Sequence, residues 1–171
     1  MLIRMNKASG FTLIELLLYI GLLSFMLLGI SVFLATLLQS RVKYQTMSEI
    51  EQQGAQVMQM ITQSVRNATT ISTPLAGASG ASLSLAVSAP NNPTVFDVSG
   101  GVLRMTEGVG SPIALTNSRV TASGVTFYNL SRTGTPGIVR IEFTLTHVNS
   151  AGLNEFDYRK SFGASASKLW P

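Results

Sequence analysis

One carboxylate, Glu15, stands near the start of a run that is otherwise uncharged and mostly apolar as far as Leu38, led into by Gly10-Phe11-Thr12-Leu13-Ile14. A lone acid in a hydrocarbon-spanning helix costs about 2.5–3.5 kcal/mol at mid-depth and less toward an end, so it calls for a partner. If the chain is cut after Gly10, Glu15 falls near the first helical turn, where the macrodipole favours negative charge. The same cut exposes an α-ammonium on Phe11, and a neighbouring copy of such a helix can set that cation against Glu15. At about 4 Å and an effective dielectric of about 20 the raw attraction is roughly 4 kcal/mol before desolvation is subtracted. Such an interaction is noncovalent, and its use is to fix the axial register of adjacent helices.

The other reactive side chains make no catalytic constellation. His147 is the only histidine and has no cysteine or acidic cluster near it in sequence, so it reads as a satisfied or surface histidine. Glu155 and Asp157 alternate with Phe156 and Tyr158, which puts both acids on the solvent face of a predicted strand rather than in an acid/base cleft. The sequence holds no phosphate loop, Ser-His-Asp set or metal-ligand spacing, and implies neither enzyme, metal nor cofactor. Arg159, Lys160 and Lys168 with Tyr158, Phe162 and Trp170 form a basic and aromatic C-terminal region. Aromatics between cations can grip single-stranded nucleic acid; a solvated edge strand with core aromatics is the plainer reading. Asn67-Ala68-Thr69 and Asn129-Leu130-Ser131 satisfy the short glycosylation sequon.

The elements that must position these residues follow from periodicity. Residues 1–10 form a short basic leader with no apolar core. The 28 residues from Phe11 to Leu38 would span about 42 Å as a helix, longer than the roughly 30 Å of bilayer hydrocarbon. A secretory signal peptide fits poorly, since its apolar core is about 7–15 residues followed by a small-residue cleavage site, and here Gln39-Ser40-Arg41-Val42-Lys43 follows. Arg4 and Lys7 precede the span and Arg41 and Lys43 follow it, so flanking charge does not set orientation. From Arg41 to Ala68, Met47, Ile50, Gly54, Val57, Ile61, Val65 and Ala68 recur at spacings of three and four, opposite Gln52, Gln56, Gln59, Gln63 and Arg66. No proline falls between Phe11 and Thr73. One continuous helix is therefore expected over 11–67, about 85 Å long, its second half carrying a single buried stripe.

Residues 69–80 are rich in Thr, Ser, Pro and Gly and read as a linker. Beyond them the period becomes two. Strands are expected over 83–87, over 94–98 and 102–106 around a Ser99-Gly100-Gly101 hairpin, then over 113–115, 125–130, 138–146 and 154–162. The clearest is 138–146, with Val139, Ile141, Phe143 and Leu145 inward. One long helix followed by short strands predicts an α+β fold, an antiparallel sheet wrapped on the helix's second half. The chain thus divides into a leader (1–10), a transmembrane helix (11–38), its amphipathic continuation (39–68) and a β-rich head (69–171).

The net charge of +4 and pI near 9.8 do not indicate a nucleic-acid surface. Losing Arg4 and Lys7 with the leader lowers the side-chain sum from +4 to +2, and the remaining cations are scattered. There are no cysteines, so no disulfide holds the head.

Lys7-Ala8-Ser9-Gly10, Phe11-Thr12-Leu13-Ile14-Glu15 and the apolar run together resemble the N-terminal signal of type IV prepilins and of type II secretion pseudopilins. That resemblance implies a pilin-like fold and cleavage after Gly10 by a prepilin peptidase on the cytoplasmic face. It also implies N-methylation of Phe11, and docking of Glu15 against the N-terminus of an adjacent subunit. It implies as partners other pilin or pseudopilin subunits, the peptidase, an inner-membrane assembly platform and membrane lipid, and some relatives in competence pili bind DNA. The location implied is the cytoplasmic membrane with the head outside the cytoplasm, then a periplasmic or extracellular filament. Many major pilins carry a proline near the middle of the apolar segment; its absence here points to a minor pilin or minor pseudopilin. The reading from a different class is a monomeric, single-pass envelope protein whose head binds a ligand.

Overall fold

The computed structural model describes residues 10–132, 134–150 and 152–169, with Glu155 described for its backbone only. The chain divides into two units at Arg41/Val42. Helix α1 runs unbroken over Leu13–Asn67. In the first unit every described residue is exposed, and the apolar part of α1 is long enough to cross a bilayer, with a mean hydropathy of 2.4 over an 18-residue window. Its serine and threonine hydroxyls bond within the helix: Ser24 Oγ donates to Ile20 O at 2.8 Å, Ser31 Oγ to Leu27 O at 2.9 Å and Thr36 Oγ1 to Val32 O at 3.0 Å. These bonds let polar residues sit in an apolar medium without an orphaned donor.

In the second unit the remaining length of α1 buries Thr46, Ile50, Gly54, Val57, Ile61 and Val65, the three-and-four spacing of the predicted stripe. Thr46 replaces Met47 at its start: Met47 is half-buried, while Thr46 sinks its hydroxyl into a bond to Val42 O at 3.0 Å.

The strands form two antiparallel sheets rather than one. Nine strands are described: β1 Thr70–Thr73, β2 Ser79–Gly80, β3 Leu83–Ala86, β4 Thr94–Ser99, β5 Val102–Glu107, β6 Ile113–Ala114, β7 Val120–Asn129, β8 Ile138–His147 and β9 Arg159–Ser167. The first sheet has the order β1-β3-β4-β5-β6 and the second β2-β7-β8-β9. Leu83, Leu85, Phe96 and Leu103 from one sheet and Phe127, Val139, Ile141, Phe143 and Leu145 from the other join the helix stripe in one core. The β4–β5 hairpin turns through Gly100 and Gly101, both at positive φ (59° and 77°), as a two-residue hairpin requires.

Three strand expectations are also corrected. The segment 69–80 is not only linker: β1 pairs with β3 and β2 with β7. The strand expected over 125–130 begins five residues earlier, at Val120, and crosses Gly124 (φ 59°) where its register with β8 shifts. The last strand is not 154–162. Asn154–Phe156 is a 3-10 turn and β9 covers 159–167, so Asp157, exposed, precedes the strand instead of alternating within it. The side chain of Glu155 lies outside the described residues.

The C-terminal segment closes over the end of α1. Leu169 N donates to Arg66 O at 3.1 Å, satisfying a carbonyl that a helix end otherwise leaves open, and Lys168 Nζ donates to Thr69 O, just past the helix, at 2.7 Å. Phe162 of β9 points its ring at Gly54, where an added Cβ would come within 2.0 Å of the ring.

Candidate functional site

Thr12 is the residue that shapes the N-terminal site. It caps α1: Glu15 N donates to Thr12 O at 3.1 Å and to Thr12 Oγ1 at 3.4 Å, and Leu16 N to Thr12 O at 3.2 Å. Thr12-Leu13-Ile14-Glu15 has the spacing of a capping box, in which the glutamate would reach back to the threonine N–H. Only the threonine half is made. Among the described residues the Glu15 carboxylate has no hydrogen bond or ion pair, although it sits in the first turn, at the positive end of the macrodipole. Glu15 is exposed and is the only charged residue between Phe11 and Leu38. Phe11 is 71% exposed and lies 5.9 Å, ring centroid to centroid, from Tyr19.

Gly10 is exposed, and among the described residues nothing lies within 4 Å of a Cβ built on it. Residues 1–9, including Arg4 and Lys7, lie outside the described residues.

Residues 5–31 match the family model of the prokaryotic N-terminal methylation motif. The chain carries the type IV prepilin and pseudopilin signature. Comparison with curated proteins and with solved structures returns no match. The prepilin-type motif supports a pilin- or pseudopilin-like role and fits membrane anchoring through the apolar half of α1. Its long N-terminal helix followed by antiparallel sheets is a pilin-like α+β organisation.

His147 is neither on the surface nor fully satisfied. Its side chain is 9% exposed, stacks on Phe156 at 5.6 Å and brings Nε2 to 3.9 Å from Glu49 Oε2, while the buried Nδ1 has no partner among the described residues. Glu49 in turn accepts from Asn117 Nδ2 at 2.7 Å. Together these groups tie β8 and the β6–β7 loop to α1, an arrangement that sequence separation hides. In the C-terminal basic region, Lys160 Nζ donates to Glu51 at 2.6 Å, and this bond raises its pKa above the ordinary lysine value. Lys168 is bonded to Thr69 O, Tyr158 and Phe162 pack against the core, and Phe162 stacks on Phe143 at 5.3 Å. Neither described ring is offered for stacking with a base; Trp170 lies outside the described residues. Elsewhere in the head, a hydrogen bond from Arg104 to Asp97 (2.8 Å) raises the guanidinium pKa.

The two sequons separate. Asn67 is exposed at the end of α1. Asn129 is 2% exposed, its Nδ2 donating to Pro74 O at 2.7 Å and its Oδ1 accepting from Ser131 N at 3.1 Å. That side chain is consumed by the fold. We expect Asn129→Ala to lower the unfolding free energy of the head by about 1–3 kcal/mol, since it strands a backbone donor and acceptor; chemical denaturation of the detergent-solubilised chain measures it.

Proposed function

We propose that the chain is a minor pilin or minor pseudopilin, a structural subunit of a type IV pilus, competence pilus or type II secretion pseudopilus. A prepilin peptidase removes residues 1–10, Phe11 becomes the N-methylated terminus, and the apolar half of α1 holds a pool of subunits in the cytoplasmic membrane. An assembly platform draws subunits from that pool into a filament, where Glu15 meets the terminal ammonium of its neighbour. Packing of the apolar helices against one another then holds the filament core. The head projects outside the cytoplasm. No step of this role is catalytic.

One observation carries the reading. Thr12 oxygen atoms, and not the Glu15 carboxylate, cap the first turn, so the acid is left over immediately after Gly10-Phe11. Within its own helix the charge gains only the dipole interaction of the first turn, and a cation supplied by another chain gives it a direct partner.

The mass of the mature N-terminus tests processing directly. A polypeptide beginning at methylated Phe11 is expected; an intact Met1 on a monomeric membrane protein would instead indicate a plain anchor with a ligand-binding head. Gly10→Glu is expected to leave the precursor uncleaved on an immunoblot, because the peptidase must approach a bond now flanked by a bulky charge. A fully processed band from that variant would exclude cleavage at this position.

A further inference from the structure

We propose that the outer edge of β9 is a strand-docking site, to which an extended segment of a different polypeptide adds as a fifth strand of the β2-β7-β8-β9 sheet. The proposal does not depend on leader cleavage, and failure of that reading leaves it standing.

The pairing of β8 with β9 fixes which backbone groups face outward. His147 N donates to Tyr158 O and Lys168 N to Gly137 O. Both pairs lie on the unbroken register that joins Ile138 to Ser167 and Thr146 to Arg159. In an antiparallel ladder, hydrogen-bonded and non-bonded pairs alternate. The even-numbered residues of β9 therefore bond to β8. Arg159, Ser161, Gly163, Ser165 and Ser167 direct their N–H and C=O groups to the free edge. Among the described residues none of those groups has a hydrogen-bond partner.

Natural sheets blunt such edges with short strands, bulges, prolines or charges. The other three edges here are blunted: β2 and β6 have two residues each, and β1 has four with a register shift between Ile71 and Thr73. The β9 edge is nine residues long, without bulge or proline, and beyond Lys160 it carries no charge. An open edge of this kind binds extended peptide through main-chain hydrogen bonds, with side-chain pockets giving selectivity.

The side chains describe the occupant. On the solvent face, Ser161 and Gly163 of the edge strand join Gly124, Glu142 and Thr144 around a concavity of about 380 Å³. It suits a bulky aromatic or β-branched side chain on the incoming strand opposite Gly163. Exposed Arg159 at the end of the edge suits a carboxylate. A second copy fits less well: two-fold antiparallel pairing about Gly163 would run the two α1 helices in opposite directions, and chains inserted the same way round do not allow this.

The test uses the full-length chain in detergent micelles. The probe is a nine-residue peptide alternating threonine and valine, with phenylalanine at its centre and a C-terminal aspartate. Amide exchange across 158–168, read by mass spectrometry, is expected to slow by about tenfold or more at millimolar peptide. The same peptide N-methylated on its bonding face should give no protection, and neither should Ser165→Pro or Gly163→Lys proteins exposed to the unmodified peptide. Both substitutions spare the β8 ladder: Ser165 N faces outward, where edge strands tolerate proline, and a Cβ on Gly163 meets nothing closer than 3.8 Å. Absence of protection in the unsubstituted chain, or protection that survives N-methylation, would overturn the proposal. So would a disulfide-linked dimer of Gly163→Cys in membranes, which would assign the edge to a second copy; the cysteine-free background makes that readout unambiguous.

Discussion

Glu15→Ala is expected to insert into the membrane and be processed normally, yet to be nearly absent from sheared filaments. The helix loses little. Thr12 still caps the first turn, and removing one favourable charge from a helix start costs about 0.3–1 kcal/mol, which does not unwind a 55-residue helix. On the proposed docking, assembly loses more, because the neighbour's terminal ammonium would stay buried among apolar side chains without its counter-ion. Removing one member of a buried pair costs about 3–5 kcal/mol, or about a hundredfold or more in the assembly equilibrium. Glu15→Gln separates charge from size and should behave like the alanine variant. Filament recovery equal to that of the parent chain, at equal membrane levels, would show that the carboxylate has no part in assembly.

Gly54→Ala should destabilise the head, although glycine-to-alanine changes within helices ordinarily stabilise by about 1 kcal/mol. The opposing term is larger. The new methyl group would stand 2.0 Å from the Phe162 ring tip, and that ring is held by its stack on Phe143. Overpacking of this kind costs about 1–3 kcal/mol, with Gly54→Leu at or above the upper end. Shortening the ring in a Gly54→Ala/Phe162→Leu double variant should recover much of the loss, giving a favourable coupling energy in a double-mutant cycle. Additive effects of the two changes, measured by urea denaturation, would mean that the notch does not hold the ring.

The helix was legible because its signal is local and repeated. Ile50, Val57, Ile61 and Val65 recur at helical spacing with no proline among them, and all four are buried. The predicted start at Phe11 moves to Leu13 because Thr12 is the cap. Strand β8 was legible for the same reason, with Val139, Ile141, Phe143 and Leu145 buried at alternate positions. The missed strands lack any such local signal. β1 and β2 are Thr-, Ser- and Gly-rich pieces given a strand's geometry by Leu85 and Tyr128, partners far along the chain. The displaced last strand has two causes. Asn149 closes the expected turn with two side-chain bonds to Leu153, at 2.9 and 3.0 Å, and a 3-10 turn at Asn154–Phe156 then takes the first positions of the expected strand. Gly163, Ala164 and Ser165 also have low strand propensity and join the sheet through β8. At the N-terminus the residue types themselves carry the methylation motif, whereas the environment of His147 and the open β9 edge depend on which segments the fold brings together.

The final residues of the chain also decide when the head is complete. Phe162 fills the Gly54 notch, Lys160 reaches Glu51, and Leu169 and Lys168 close over Arg66 and Thr69, so elements made about a hundred positions apart must meet. Contacts of such long separation form late and slowly. During synthesis the helix stripe therefore waits, partly uncovered, until the last strand has emerged, and a polypeptide that terminates even a dozen residues early would present apolar surface to the quality-control machinery of its compartment.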